Sequence, residues 1–292
     1  MSSRVKEKTE LFNRLTTDLA TVRPDYVDRV LCPLCVRPFE RDALFDNGED
    51  GLSLEHIIPG SLGGNWTTLT CRRCNNKQGS ALEAHLVRMI RSEDWSTGDR
   101  STLRGTVRIG STELPMKISW SAGQEPNVIR ILGGQPKAIE EFSTLATGMG
   151  DGDKVNLNFS LNYAELQARQ ALVRVAYLAL FNRFGYRYAL SGAGACIRSV
   201  ITESDIDAAR LLTPQLRDVE ETRVKSPIVF SPVVAGELVV AYLVLIRIQT
   251  SQRRHYAALL PAQGVAEDAC LAVLGEVSNK LNGNHLEIWV DE

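Results

Sequence analysis

Apolar residues recur at helical spacing in a few long stretches of this chain and at strand spacing in several short ones. Val5, Leu11, Phe12, Leu15 and Leu19 fall near one face of a helix over residues 4–20, and Arg23-Pro24-Asp25 breaks it. Leu82, Leu86, Met89 and Ile90 mark the apolar side of a second helix, which begins at Cys74 or Asn75 and runs to Arg91. The strongest helical stretch further on covers residues 163–184, and its centre, LVRVAYLALF, is apolar nearly all round, as in a buried helix. Residues 136–146, which open on a proline, and 266–281 are further helices. Segments 104–109, 112–120, 127–132 and 154–161, and then 226–232, 237–249, 253–260 and 285–290, read as strands between turn residues. Between the two halves, SEDWSTGDRS (92–101) is polar and contains glycine, as a linker would. The expected organisation is an N-terminal helix (1–28), a small cysteine-bearing domain (29–92), a linker (93–103) and a mixed α/β domain (104–292), giving an α+β chain.

Composition narrows the function classes. The formal net charge of −2 argues against a protein that coats nucleic acid through bulk electrostatics, while leaving room for a local phosphate site. The longest apolar candidate, 238–246, is far short of the ~20 residues of a spanning helix, and no basic, then apolar, leader opens the chain. The expectation is a soluble cytoplasmic protein without a membrane partner.

The six cysteines fall into Cys32-Pro-Leu-Cys35, Cys71-Arg-Arg-Cys74 and the lone Cys196 and Cys270. Two residues between paired cysteines let both sulfurs reach one tetrahedral ion, and two matched pairs without an export signal favour metal over disulfides. A closed four-sulfur shell suits a structural zinc that ties the start of the domain to the helix after Cys74. Cys196 and Cys270 read as buried hydrophobes.

The run Glu55-His56-Ile57-Ile58-Pro59, followed by Gly63-Gly64 and by Leu69-Thr70-Cys71-x-x-Cys74-Asn75-Asn76-Lys77, resembles the HNH endonuclease family, and in particular its zinc-ribbon-supported members. The resemblance covers residues 32 to about 82. It implies a ββα-metal fold and a hydrolase acting on phosphodiester bonds, with double-stranded DNA as the substrate. It implies His56 as the general base, a role suited to an imidazole, whose unperturbed pKa is about 6.5. Glu55 and Asn75 would hold the catalytic metal, and oxygen ligands of this kind favour Mg²⁺ or Mn²⁺. The sequence departs from the family pattern where many relatives carry a middle asparagine. Thr68 precedes Leu69 here, so Asn65, the backbone or a threonine would stand in. Asn76 competes with Asn75 for the metal. Arg72, Arg73 and Lys77 are candidate phosphate contacts. His85 reads as a partly exposed helix residue.

The second half announces no chemistry. Tyr177, Phe181, Phe184, Tyr186 and Tyr188 read as core more readily than as a base-stacking platform. Ser191-Gly-Ala-Gly-Ala195 lacks the Lys-Ser/Thr closure of a phosphate loop and reads as a turn. His255 and His285 have no companion ligands in sequence. A domain for substrate binding, assembly or regulation is expected, with a homodimer or a companion protein as partner, in a prokaryotic defence or mobile-element setting. The alternatives are a non-catalytic zinc-ribbon module that binds nucleic acid, and an RNA-cutting or partner-gated nuclease.

Overall fold

In a computed structural model, which describes residues 3–96, 101–121, 128–133, 136–150, 152–159, 162–214, 226–250 and 253–281, the first apolar stripe forms α1 (Ser3–Val22). It buries Leu11, Phe12, Leu15 and Leu19, and the Lys8 ammonium donates to the Leu44 carbonyl. Strands β1 (Val30–Leu31) and β2 (Pro38–Phe39) pair antiparallel around the first cysteine pair. Strands β3 (Leu52–His56) and β4 (Thr67–Cys71) form a longer antiparallel pair, with Glu55 opposite Thr68 and His56 opposite Thr67.

The chain passes from β4 directly into α2 (Arg72–Gln78). The single helix expected up to Arg91 is instead interrupted by a π turn at Gly79–Glu83, followed by α3 (Ala84–Ser96). A π turn shifts the helical register, so side chains on either side of it can meet different partners. Residues 93–96, expected in a linker, belong to α3; residues 101–103 belong to the next strand, and 97–100 lie outside the described residues.

The chain forms two compact units, Val87–Tyr163 and the combination of Met1–Leu86 with Ala164–Glu292. The boundary therefore differs from the one read at 93–103, and the segment expected to form a single domain is split. In the Val87–Tyr163 unit, β5 (Ser101–Ile109), β6 (Thr112–Ser121), β7 (Val128–Gly133), α4 (Pro136–Thr147) and β8 (Val155–Phe159) build an antiparallel sheet of order β7-β6-β5-β8. Helix α4 supplies Ala138 to a core of Val107, Leu114 and Met116.

The other unit resumes with α5 (Glu165–Phe184), buried almost continuously from Ala168 to Phe181, as its uniformly apolar sequence requires. It continues through α6 (Tyr186–Ala189), α7 (Gly192–Thr202), α8 (Ile206–Leu212), β9 (Ile228–Ala235), β10 (Leu238–Gln249), β11 (Arg253–Pro261) and α9 (Cys270–Leu281). The strands form an antiparallel sheet of order β11-β10-β9, and α5 packs against β11, α7 and α8. Ser191–Ala195 is not a free turn: the Ser191 hydroxyl accepts from the Gly194 amide at 3.2 Å and caps α7. A Cβ at Gly194 would lie 2.4 Å from the Tyr188 carbonyl oxygen, so the small residues serve close backbone packing. The strand expected at 285–290, with His285, lies outside the described residues. No described helix is long and apolar enough to cross a membrane.

Of the five aromatics expected in the core, Tyr177, Phe181, Tyr186 and Tyr188 are buried and Phe184 is half-buried. Two of them grip the first cysteine knuckle. The Tyr186 hydroxyl donates to the Leu31 carbonyl at 2.6 Å and accepts from the Leu31 amide at 2.8 Å. The Tyr177 hydroxyl donates to the Pro33 carbonyl at 2.6 Å. Tyr186→Phe strands both backbone groups of Leu31 away from water. The expected cost is about 1–3 kcal/mol, read as a lower urea midpoint at unchanged m-value.

Candidate metal and catalytic site

The four sulfurs of Cys32, Cys35, Cys71 and Cys74 all lie within 4.8 Å of one another, and Cys35 and Cys71 are 3.8 Å apart. A tetrahedral ion with ~2.3 Å bonds to sulfur places its ligands about 3.8 Å apart, so the tetrad fits zinc. The Cys71 amide points at the Cys32 sulfur at 3.3 Å, and the Cys74 amide at the Cys71 sulfur at 3.4 Å. Such backbone donors favour the thiolate form. Four thiols this close cannot all ionise unaided. Burial pushes Cys32 up, while contact with Cys32, Cys71 and Cys74 draws Cys35 down, and a divalent cation is what lets all four act as thiolates. Cys196 and Cys270 are buried and free, outside the tetrad.

The connection from β3 to β4 explains the paired glycines. After the short 3-10 turn Gly60–Leu62, Gly63 adopts a left-handed conformation with φ +84°. A Cβ on Gly64 would sit 1.8 Å from the Ile58 carbonyl oxygen, inside any tolerable contact. Gly63→Ala meets only left-handed strain, which costs about 1–2 kcal/mol. Gly64→Ala forces the backbone apart and is expected to cost about 3 kcal/mol or more. Urea unfolding of the two variants side by side checks the order.

The expected catalytic residues lie close in sequence, yet they face different surroundings. Successive side chains on a strand point to opposite faces. His56 ends β3 on the exposed side, and its ring lies about 3.9 Å from where a Gly60 Cβ would stand. Opposite it, Thr67 donates to the Glu7 carboxylate of α1 at 2.5 Å. Glu55 faces inward, only 2% exposed, and its Oε1 accepts from Nη2 of Arg174 on α5 at 2.6 Å. The other arm of the same guanidinium, Nη1, donates to Glu83 Oε1 in the π turn at 2.8 Å. Burial pushes the Glu55 carboxyl up, to about 7, against the pull of Arg174, and the Glu83 carboxylate pushes it the same way.

Asn75 sits in the middle of α2, where its amide nitrogen donates to Ser53 Oγ at 3.0 Å and to the Leu54 carbonyl at 3.3 Å. That commits the nitrogen to β3 and leaves the amide oxygen as the end able to bind a cation. Thr68, directly across from Glu55, is fully buried, and its hydroxyl has no hydrogen-bond partner among the described residues. An orphaned hydroxyl across the strand pair from a carboxylate, with an amide anchored on the same strand, is a donor set that fits a hydrated divalent cation.

Asn65 and Asn76 are exposed, the first before β4 and the second on α2. Arg73 and Lys77 are exposed on α2, whereas Arg72 is tied by its Nε to the Asp46 carbonyl and by Nη2 to Asn47. His85 is half-buried, and its Nδ1 accepts from the Ala164 amide at 2.9 Å. Sequence reasoning missed Glu7, Glu83 and Arg174. Only Arg174 carried a signal, as the one charge inside LVRVAYLALF.

No curated protein and no solved structure matches the chain. The family profile described as HNH endonuclease matches residues 45–91. The match begins after the first cysteine pair, takes in the β3–β4 hairpin, α2 and the π turn, and ends within α3. Over this segment the chain is similar to the HNH endonuclease family.

Proposed function

We propose that the protein is a metal-dependent endonuclease that hydrolyses phosphodiester bonds in DNA. The observation that supports this reading is the docking of α2 on β3 through the Asn75 amide, on the strand that carries the buried Glu55 and ends at the exposed His56. His56 takes the proton from the attacking water, and its exposure lets a phosphodiester approach from solvent. Glu55 and the Asn75 oxygen would hold the divalent cation. When bound, the cation would supply positive charge against the phosphate and the leaving oxygen. Arg73 and Lys77 steady the flanking phosphates, and Arg72 holds the 46–47 loop against the start of α2. The zinc tetrad is structural and keeps the hairpin and α2 in place.

The test is incubation of the zinc-loaded protein with supercoiled plasmid and with a long RNA, in Mg²⁺, in Mn²⁺ and in EDTA. Nicking of the plasmid in either metal, with RNA intact and no reaction in EDTA, is the expected result. RNA cleavage with intact plasmid would move the substrate to RNA.

A second reading is a zinc-supported module that binds nucleic acid without cutting it. It is favoured by the engagement of Glu55 with Arg174 in a buried ion pair. Retarded DNA mobility without cleavage in any metal would select it.

A further inference from the structure

Arg174 is 1% exposed on a helix that is apolar nearly all round, and it lies far outside the segment that matches the family. Its two terminal nitrogens bridge Glu55 and Glu83, and its Nε is buried without a hydrogen-bond partner among the described residues. A buried ion cluster contributes little net stability compared with packed apolar side chains of the same volume. Stability is therefore a weak reason for a guanidinium at this point of α5. The geometry provides something else: it holds one oxygen of the Glu55 carboxylate in place. We propose that Arg174 is a positioning residue of the nuclease site, acting through Glu55, with Glu83 as its second anchor.

The proposal rests on the reading that Glu55 holds the catalytic cation. Arg174 occupies Oε1, which leaves Oε2 as the oxygen that can take the cation. A planar fork is suited to this task, because it reaches two carboxylates along fixed directions; an ammonium is a point charge with no such fork. The π turn brings Glu83 onto the guanidinium, so the interruption between α2 and α3 belongs to the same device. The cluster sets two carboxylates against one guanidinium, a balance that admits a divalent cation. The segment 164–184 thereby becomes part of the nuclease site.

The test measures Mn²⁺ binding to zinc-loaded protein by electron paramagnetic resonance, without nucleic acid, for wild type, Arg174→Lys, Glu83→Gln and Glu55→Gln. Zinc content and thermal midpoints are recorded alongside. Arg174→Lys keeps the charge and loses the fork, and it is expected to weaken Mn²⁺ binding about 10–100-fold, the range for partners that orient a metal ligand. Cleavage should recover as Mn²⁺ is raised, since the loss lies in metal affinity. Glu83→Gln, on a side chain 25% exposed, is expected to weaken binding in the same direction by a smaller factor. A lower thermal midpoint with wild-type Mn²⁺ affinity in Arg174→Lys, while Glu55→Gln loses the metal, would overturn the inference and leave the nuclease reading standing. Wild-type affinity in Glu55→Gln would overturn the assignment of Glu55 itself. Should Arg174→Lys not fold, Glu83→Gln decides: unchanged Mn²⁺ affinity there rejects the positioning role.

Discussion

His56→Ala is expected to lower metal-dependent nicking of supercoiled plasmid by about 10²–10⁴-fold, the range over which a positioned general base contributes. The variant should keep its zinc and its thermal midpoint. His56 is exposed at the end of β3, and its backbone pairing with Thr67 does not depend on the imidazole. Its ring is exposed, about 3.9 Å from where a Gly60 Cβ would stand, so truncation opens no core cavity. Substitutions of that kind usually change stability by less than about 0.5 kcal/mol. The comparison is therefore clean, because activity and folding are read on the same preparations. Undiminished nicking by a folded, zinc-loaded His56→Ala would remove the imidazole from the chemistry.

Loss of the tetrad is expected to have the largest effect on stability. Cys71→Ser, or exhaustive chelation, should release the zinc and lower the thermal midpoint by at least about 10 °C, since each kcal/mol is worth about 2–4 °C in a unit of this size. Structural zinc in small peptides contributes apparent free energies of about 10–16 kcal/mol. The local structure here has little else to hold it. Strands β1 and β2 are two residues long, well below a self-supporting hairpin. Val36, next to Cys35, has a left-handed backbone with φ +59°, which is unfavourable for a β-branched residue. Such strain, about 1–3 kcal/mol, persists only where the surroundings enforce it. The grip of Tyr177 and Tyr186 on Pro33 and Leu31 provides part of that enforcement, so partial structure should survive in the α5–α9 region after chelation. Complete retention of the thermal midpoint without zinc would assign the tetrad a different role.

Much of this was legible along the chain, because it depends on neighbours in sequence. The cysteine spacings specify a tetrahedral site whatever the rest of the fold does. The Glu55–Pro59 and Cys71–Lys77 runs fall on the hairpin and helix that the family resemblance implies. The apolar run 172–181 could only be buried, and it is. Paired Gly63 and Gly64 mark a connection that a side chain would break.

Other features needed the folded chain. A one-dimensional reading splits the protein at a polar stretch, but residues 1–86 and 164–292 form one unit, in which α5 packs against the π turn at Gly79–Glu83 as well as against β11, α7 and α8. Periodicity shows that a helix is buried and is silent on what it is buried against. The same limit hid Arg174. A lone arginine in an apolar run announces a buried partner, but Glu55 is 119 positions away, and only packing brings the two within 2.6 Å. The π turn was likewise invisible, because it follows from anchoring Asn75 to β3 at one end and Glu83 to α5 at the other. Sequence determined the motif, the cysteine pairs and the helices and strands whose patterns are local. Tertiary structure alone decided which charges meet in the interior, since burial makes a charge seek a partner wherever in the chain one is offered.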